Sequence, residues 1–140
     1  MVNTFLPYPS FVKSAKVLDD KRLYKQIVEC KQILKAIEAN KKGEKYGYQN
    51  HPIVRMWQDY PIALRQYQLE MLDEWLSRRW GARLGAECFE HHYLNPHWLG
   101  DEGVHESHRL NLLFKDGEHY GQYFTEEVPS VKPEYKWVIE

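Results

Sequence analysis

The sequence predicts a mainly α protein, a single compact helical domain over residues 1–140. Three observations predict it. Apolar residues recur at helical spacing over several long stretches, capping residues and glycines bound those stretches, and no two alternating segments read as a strand pair. The composition agrees: 140 residues, 43% hydrophobic and 28% charged, is ordinary for a globular chain. A chain of this length buries roughly two-thirds of the surface its unfolded form exposes.

From Val2 to Pro9 the chain reads as extended, because Pro7 and Pro9 keep the residues before them out of the helical region. Ser10 is a suitable cap for a short helix through about Val17. A longer helix is expected from about Asp20 to Ala39, with Leu23, Ile27, Cys30, Leu34 and Ile37 at helical intervals. Asp19 and Asp20 at its start and Lys35 near its end suit the helix dipole. A polar loop over residues 40–45 follows. Asn50 is the expected cap of a short helix beginning near Pro52. Asp59 or Tyr60 then opens an amphipathic helix to about Trp80, with Leu64, Tyr67, Met71, Leu72, Trp75 and Leu76 inward and Gly81 as the stop. Residues 81–101 read as irregular, and a last sizeable helix spans about Glu102 to Phe114. The aromatic tail, with Tyr135 and Trp137, is expected to pack back on the body. The five tryptophans read mostly as core; Trp98, in a loop, is the one placed to lie against a ligand, though packing is the expected role.

No apolar run reaches the ~18–20 residues that span a bilayer, and the start of the chain lacks a signal-peptide pattern. Two cysteines, Cys30 and Cys88, make neither a disulfide framework nor a metal knuckle. The expected location is the cytoplasm, with no membrane association. The net charge of −1 conceals an asymmetry: residues 1–50 hold ten Lys/Arg against five Asp/Glu, and residues 51–140 hold nine against fifteen. A basic first third suggests an anionic partner. Tyrosine and tryptophan are abundant, and aromatics either stack on bases or fill a core.

Arg22, Gln26 and Glu29 fall on one stripe of the long first helix, beside the apolar stripe. Glu29 is thus a carboxylate at the edge of the buried face, where desolvation raises a pKa for acid–base work. The same spacing also describes a solvated salt-bridge partner of Arg22 or Lys25. His105 and His108 share a helix face downstream of His91, His92 and His97, but no HExxH or CxxC supports a metal site. A polar face of His105, His108 and Arg109 that holds phosphates or caps neighbouring elements is the preferred reading. His51 is a helix-start hydrogen bonder or a phosphate contact.

Several ordered motifs resemble one family. They are Thr4-Phe5-Leu6-Pro7-Tyr8-Pro9, the run Leu18 to Gln26, Val28-Glu29, Asn50-His51-Pro52 with Met56-Trp57, Ser107-His108-Arg109 with Leu113, Lys115 and Asp116, then Tyr120, Phe124, Tyr135 and Trp137. Together they resemble the pyrimidine-dimer DNA glycosylase family over nearly the whole chain. The resemblance implies a helical fold, double-stranded DNA with damaged or modified pyrimidines as substrate, and glycosylase and abasic-site lyase steps without metal or other cofactor. It implies that removal of Met1 frees the α-amine of Val2 as nucleophile, and that Glu29 is the catalytic carboxylate. An α-amine with pKa near ~8 is about one-tenth neutral at pH 7, far more than a lysine near ~10.4, and so can attack a sugar C1′. Arg22, Gln26, His51, Arg55, His108 and Arg109 are the expected DNA-holding residues, positioning the backbone without reading sequence. A monomer is expected.

The chain departs from the family at Asn3, Ile27 and Val28, where relatives carry arginine. A second hypothesis follows: a non-catalytic nucleic-acid-binding or protein-interaction module that keeps the fold. A histidine-ligated metal hydrolase built on His91, His97, His105 or His108 ranks third.

Overall fold

In the computed structural model, which describes residues 2–86 and 93–139, side-chain caps and glycines set most helix ends. Ser10 Oγ accepts from the Lys13 N–H at 3.1 Å and opens α1 (Phe11–Val17). Asp19 precedes α2 (Asp20–Lys42), which stops where Gly43 adopts a left-handed φ of 70°, a conformation open to glycine because it has no Cβ. The helix therefore runs beyond the expected Ala39, and Lys41 and Lys42 sit at the negative end of its dipole. α3 (Pro52–Trp57), α4 (Pro61–Trp80), α5 (Glu102–Lys115) and α6 (Gly117–Tyr120) follow, with no strand among the described residues.

Of the later helix starts, that of α4 agrees with the sequence expectation and those of α3 and α6 differ from it. His51, not Asn50, caps α3, its Nδ1 accepting from the Ile53 N–H at 3.1 Å. Tyr60 sits at the cap of α4 and Pro61 begins it, as suits a residue with no N–H to satisfy in the first turn. The short α6 has no counterpart in the sequence expectation; Asp116 Oδ1 starts it by accepting from the His119 N–H.

α2 and α4 pack antiparallel. Arg78 near the end of α4 pairs with Asp20 at the start of α2 (3.0 Å), the Tyr24 and Trp75 rings lie 5.0 Å apart, and Gln68 donates to the Ile27 carbonyl at 2.9 Å. Arg78 also donates to the carbonyls of Ala15 and Lys16, acceptors that the last turn of α1 leaves without helical partners. Between the helices sits an aromatic group. Phe11 meets Tyr67 edge-on at 5.5 Å, and Trp57 meets Trp98 edge-on at 5.0 Å. Trp98 is buried and donates its indole N–H to the Met56 carbonyl, so it packs.

The buried face of α2 is Leu23, Gln26, Cys30, Ile33 and Ile37, with Ile27 and Leu34 half-buried on its flank. Gln26 thus lies inside the packed face rather than on a polar stripe beside it. His91, His92 and Cys88 lie outside the described residues.

Candidate active site

Extended backbone buried away from a sheet must find partners for its N–H and C=O groups elsewhere. Over residues 3–8 side chains supply them. The Asn3 N–H donates to Glu29 Oε2 at 2.6 Å, Phe5 N–H to Gln26 Oε1 at 2.8 Å and Leu6 N–H to His108 Nδ1 at 2.9 Å. Thr4 N–H takes the Asn3 side-chain carbonyl, and Tyr8 N–H the Ser14 hydroxyl. On the acceptor side, the Phe5 carbonyl meets the Tyr67 hydroxyl at 2.8 Å, the Leu6 carbonyl meets His105 Nδ1 at 2.8 Å and the Pro7 carbonyl takes an Arg109 N–H at 2.8 Å. Trp57 donates its indole N–H to Thr4 Oγ1. Side chains from α1, α2, α3, α4 and α5 therefore converge on this segment and fix where it starts.

It starts at Glu29. The carboxylate is 5% exposed and shares a recess of about 170 Å³ with Val2, Lys25, Val28, Gln32 and Tyr48. Burial pushes its pKa above the ordinary carboxylate value, opposed by the Asn3 N–H and by the charges of Lys25, the amino terminus and Lys115. The backbone nitrogen of Val2 lies one residue upstream of the Asn3 N–H that Glu29 accepts, within a single ~3.8 Å Cα step. A solvated salt bridge does not describe Glu29, which is buried and bonded to backbone.

Cations gather round the recess. Burial lowers the Lys115 pKa first, then the neighbouring charges of Arg22, Lys132 and Lys25, with Glu29 pulling the other way. Lys25, Lys115 and Lys132 form no ion pair among the described residues, whereas Arg22 is tied to Asp19 at 3.1 Å. Mutual repulsion among unpaired cations is the signature of a surface that gains by meeting an anion. Sequence reasoning passed over Lys25, Lys115 and Lys132. Lys25 sits one turn before Glu29, a spacing that could have marked it; the other two approach only through the fold.

The residues expected to hold DNA divide into two groups. Arg55 is exposed and Arg22 half-exposed. His51 is partly exposed, with its ring edge-on to Trp137 at 5.6 Å and its pKa lowered by burial. Gln26 and His108 are buried, at 0% and 1% exposure, and the expectation that they touch DNA is corrected: they hold the amino-terminal segment instead. His108 carries its proton on Nε2, because Nδ1 accepts from Leu6, and burial drives its pKa down to about 3. Arg109 is held by Glu102, Glu126 and the Pro7 carbonyl, so its charge is matched within the fold. His105 accepts from the Gly100 N–H on Nε2 and meets the Leu6 carbonyl through Nδ1, which leaves neither ring nitrogen open to a metal. The His105–His108–Arg109 face caps neighbouring backbone.

Fold and recess together define a class: an all-helical protein whose first residues are threaded through the core to a buried carboxylate. The chain belongs to the pyrimidine dimer DNA glycosylase family, whose model matches residues 2–88. The match takes in Val2, Arg22, Gln26, Glu29, His51 and Arg55, while α5 and the tail lie beyond it. No curated protein and no solved structure gives a significant match. Membership makes DNA the substrate class and a pyrimidine dimer glycosylase the general function. No helix is long and apolar enough to cross a membrane among the described residues.

Proposed function

We propose that the chain excises damaged or modified pyrimidines from DNA through an imine formed by the Val2 α-amine, and then cuts the strand as an abasic-site lyase. The supporting observation is the buried Glu29 carboxylate at the start of a chain segment whose polar groups are clamped by side chains. With Met1 removed, the neutral amine attacks C1′, the glycosidic bond breaks and its electron pair leaves with the base, which takes up a proton. As the sugar ring opens, the C1′–O4′ electron pair goes to O4′, the nitrogen passes one of its protons to that oxygen, and a protonated imine forms at C1′. The protonated imine acidifies the C2′ hydrogen. Glu29 removes that proton, the new C1′–C2′ enamine expels the 3′ phosphate from C3′, and water later frees the amine. As a carboxylate, Glu29 also stabilises the cationic imine beside it.

Lys25, Lys115 and Lys132 supply positive charge that Asn3, Ile27 and Val28 do not. With Arg22, Arg55 and His51, these lysines hold the phosphates that flank the damaged nucleotide. Extruding that nucleotide costs a few kcal/mol, least where pairing is already damaged.

Borohydride trapping tests the proposal, using duplexes with an abasic site or a thymine dimer and mass spectrometry of the protein's start. The expected result is a covalent adduct at Val2 on both duplexes, lost when the amine is blocked. An adduct on the abasic duplex alone would retain the lyase and move the substrate to another lesion. Correctly processed protein that forms no adduct with either would overturn the reading and leave a binding module.

A further inference from the structure

The first fifty residues hold ten of the basic side chains, and several of these lie away from the recess. Lys31, Lys35 and Lys41 stand along α2, and with Arg65 of α4 they line a groove where these two helices pack. The groove has a volume of about 530 Å³. Leu34, Ile37 and Pro61 form its apolar floor, and the four cationic residues are exposed. None of the four joins an ion pair among the described residues. Glu38 is the one acidic residue among those that line the groove, and Lys42 holds it at 3.0 Å. Four like charges without an acid of their own form a face that gains by meeting an anion.

The groove and the recess lie on different sides of α2. At about 100° per residue, Lys25, Val28 and Gln32 of the recess fall within roughly 100° of Glu29. Lys31, Lys35 and Lys41 fall roughly 120–160° round the axis from it, with Leu34 and Glu38 beside them. DNA seated over the recess therefore meets the other side of the helix and leaves these cations open. From Lys31 to Lys41 is about 15 Å along the axis, the length of about four nucleotide steps at ~3.4 Å each. Cations in a row match a linear polyanion, whereas a single phosphate needs donors that converge on it. Lysine is a flexible point charge and neutralises a phosphate without demanding one geometry.

We propose that the groove between α2 and α4 is a second DNA-binding site, which takes the phosphate backbone of an undamaged duplex segment while the recess faces the damaged one. DNA is the substrate class of the family, so the polyanion that complements the groove is one the protein already meets. The inference rests on DNA binding at the recess and is independent of the imine at Val2. A segment held at the groove keeps neighbouring DNA at high effective concentration beside the recess, which serves a search for rare lesions. The contacts are to backbone alone, so the groove reads no sequence.

The test is a bridging assay. A short duplex with one tetrahydrofuran abasic analogue is immobilised and loaded with protein, and a labelled undamaged duplex is then titrated in. Wild type is expected to capture the second duplex, and sedimentation of the soluble complex to give one protein on two duplexes. Lys31→Gln, Lys35→Gln, Lys41→Gln and Arg65→Gln should each make the slope of log K for capture against log salt about 0.9 shallower, the share of one phosphate. Combined, they should abolish capture, while retention of protein on the immobilised duplex changes less than about two-fold, as for independent sites. The four residues are exposed, so the melting temperature should stay the same. Retained wild type that captures nothing, unchanged capture by the combined variant, or equal losses at both duplexes would overturn the second site. So would two proteins on two duplexes, or competition by inorganic phosphate or polyglutamate as effective as competition by DNA. Retention reads the recess and capture reads the groove, so the two failures are distinguishable.

Discussion

At the residue scale, Glu29 trades stability for reactivity. Its folded pKa is raised, so the native state favours the protonated form. The associated stabilisation is fully present below the ordinary value of 4.5 and is lost as pH rises through the folded pKa. Glu29→Gln keeps an oxygen for the Asn3 N–H and removes the buried charge. Thermal melts should therefore show the variant more stable than wild type at pH 7, with the advantage shrinking toward pH 4. Strand cleavage should fall by roughly 10²–10⁴-fold, the range for loss of a positioned acid–base group. A variant less stable at pH 7, or active as wild type, would contradict this account. The carboxylate was legible in sequence through its place at the edge of an apolar stripe and through family resemblance. Its partner was not, because a backbone N–H twenty-six positions away carries no side-chain pattern.

At the scale of elements, the extended start of the chain behaves as part of the core. Its clamps are Gln26 on α2, Tyr67 on α4 and His105, His108 and Arg109 on α5; periodicity places Tyr67 inward, but it puts Gln26 on a polar stripe and the three α5 residues on a polar face. That is why Gln26 and His108 read as DNA contacts. The helices themselves were legible because Ser10 and Gly81 act locally, whereas the stop of α2 at Gly43 lies beyond the expected Ala39, and α6 depends on an aspartate cap too short-ranged to distinguish from a turn. The clamp has an acid weakness. His108 is held neutral, and its pKa falls from 6.5 to about 3 on folding. The stability it contributes is present above 6.5 and is lost as pH falls through that interval toward 3, since the unfolded chain binds a proton that the folded chain refuses. Wild type should accordingly lose stability on acidification through this window. His108→Phe should flatten that dependence and melt lower at pH 7, because the buried Leu6 N–H then lacks an acceptor at a cost of about 1–3 kcal/mol. Denaturant titrations at pH 7 and pH 5 would show both effects, and an equal pH slope in the two proteins would argue against the clamp.

For the whole molecule, charge distribution matters more than net charge. α2 carries seven basic residues against three acidic ones; α5 brings Lys115 within electrostatic reach of Glu29 and Lys25, and the tail brings Lys132 within reach of Lys115. Much of the remaining acidity is engaged: Glu102 and Glu126 hold Arg109, Asp101 holds Lys136, and Glu74 and Asp20 hold Arg78. A chain of net charge −1 can therefore present an anion-seeking face while Arg78, Arg109 and Lys136 are neutralised in pairs. Counterion release turns this into a number that separates phosphate contacts from structural cations. Each phosphate neutralised on duplex DNA contributes about −0.9 to the slope of log K against log salt. Lys25→Gln and Lys115→Gln should each make that slope about 0.9 shallower on lesion-bearing DNA. Arg109→Gln should weaken the fold and leave the slope unchanged, because its guanidinium is already paired. If Arg109→Gln altered the slope as much as Lys115→Gln, the division of basic residues into DNA-facing and internally paired sets would fail; if only the lysine variants altered it, the recess would be the centre of the DNA-binding face.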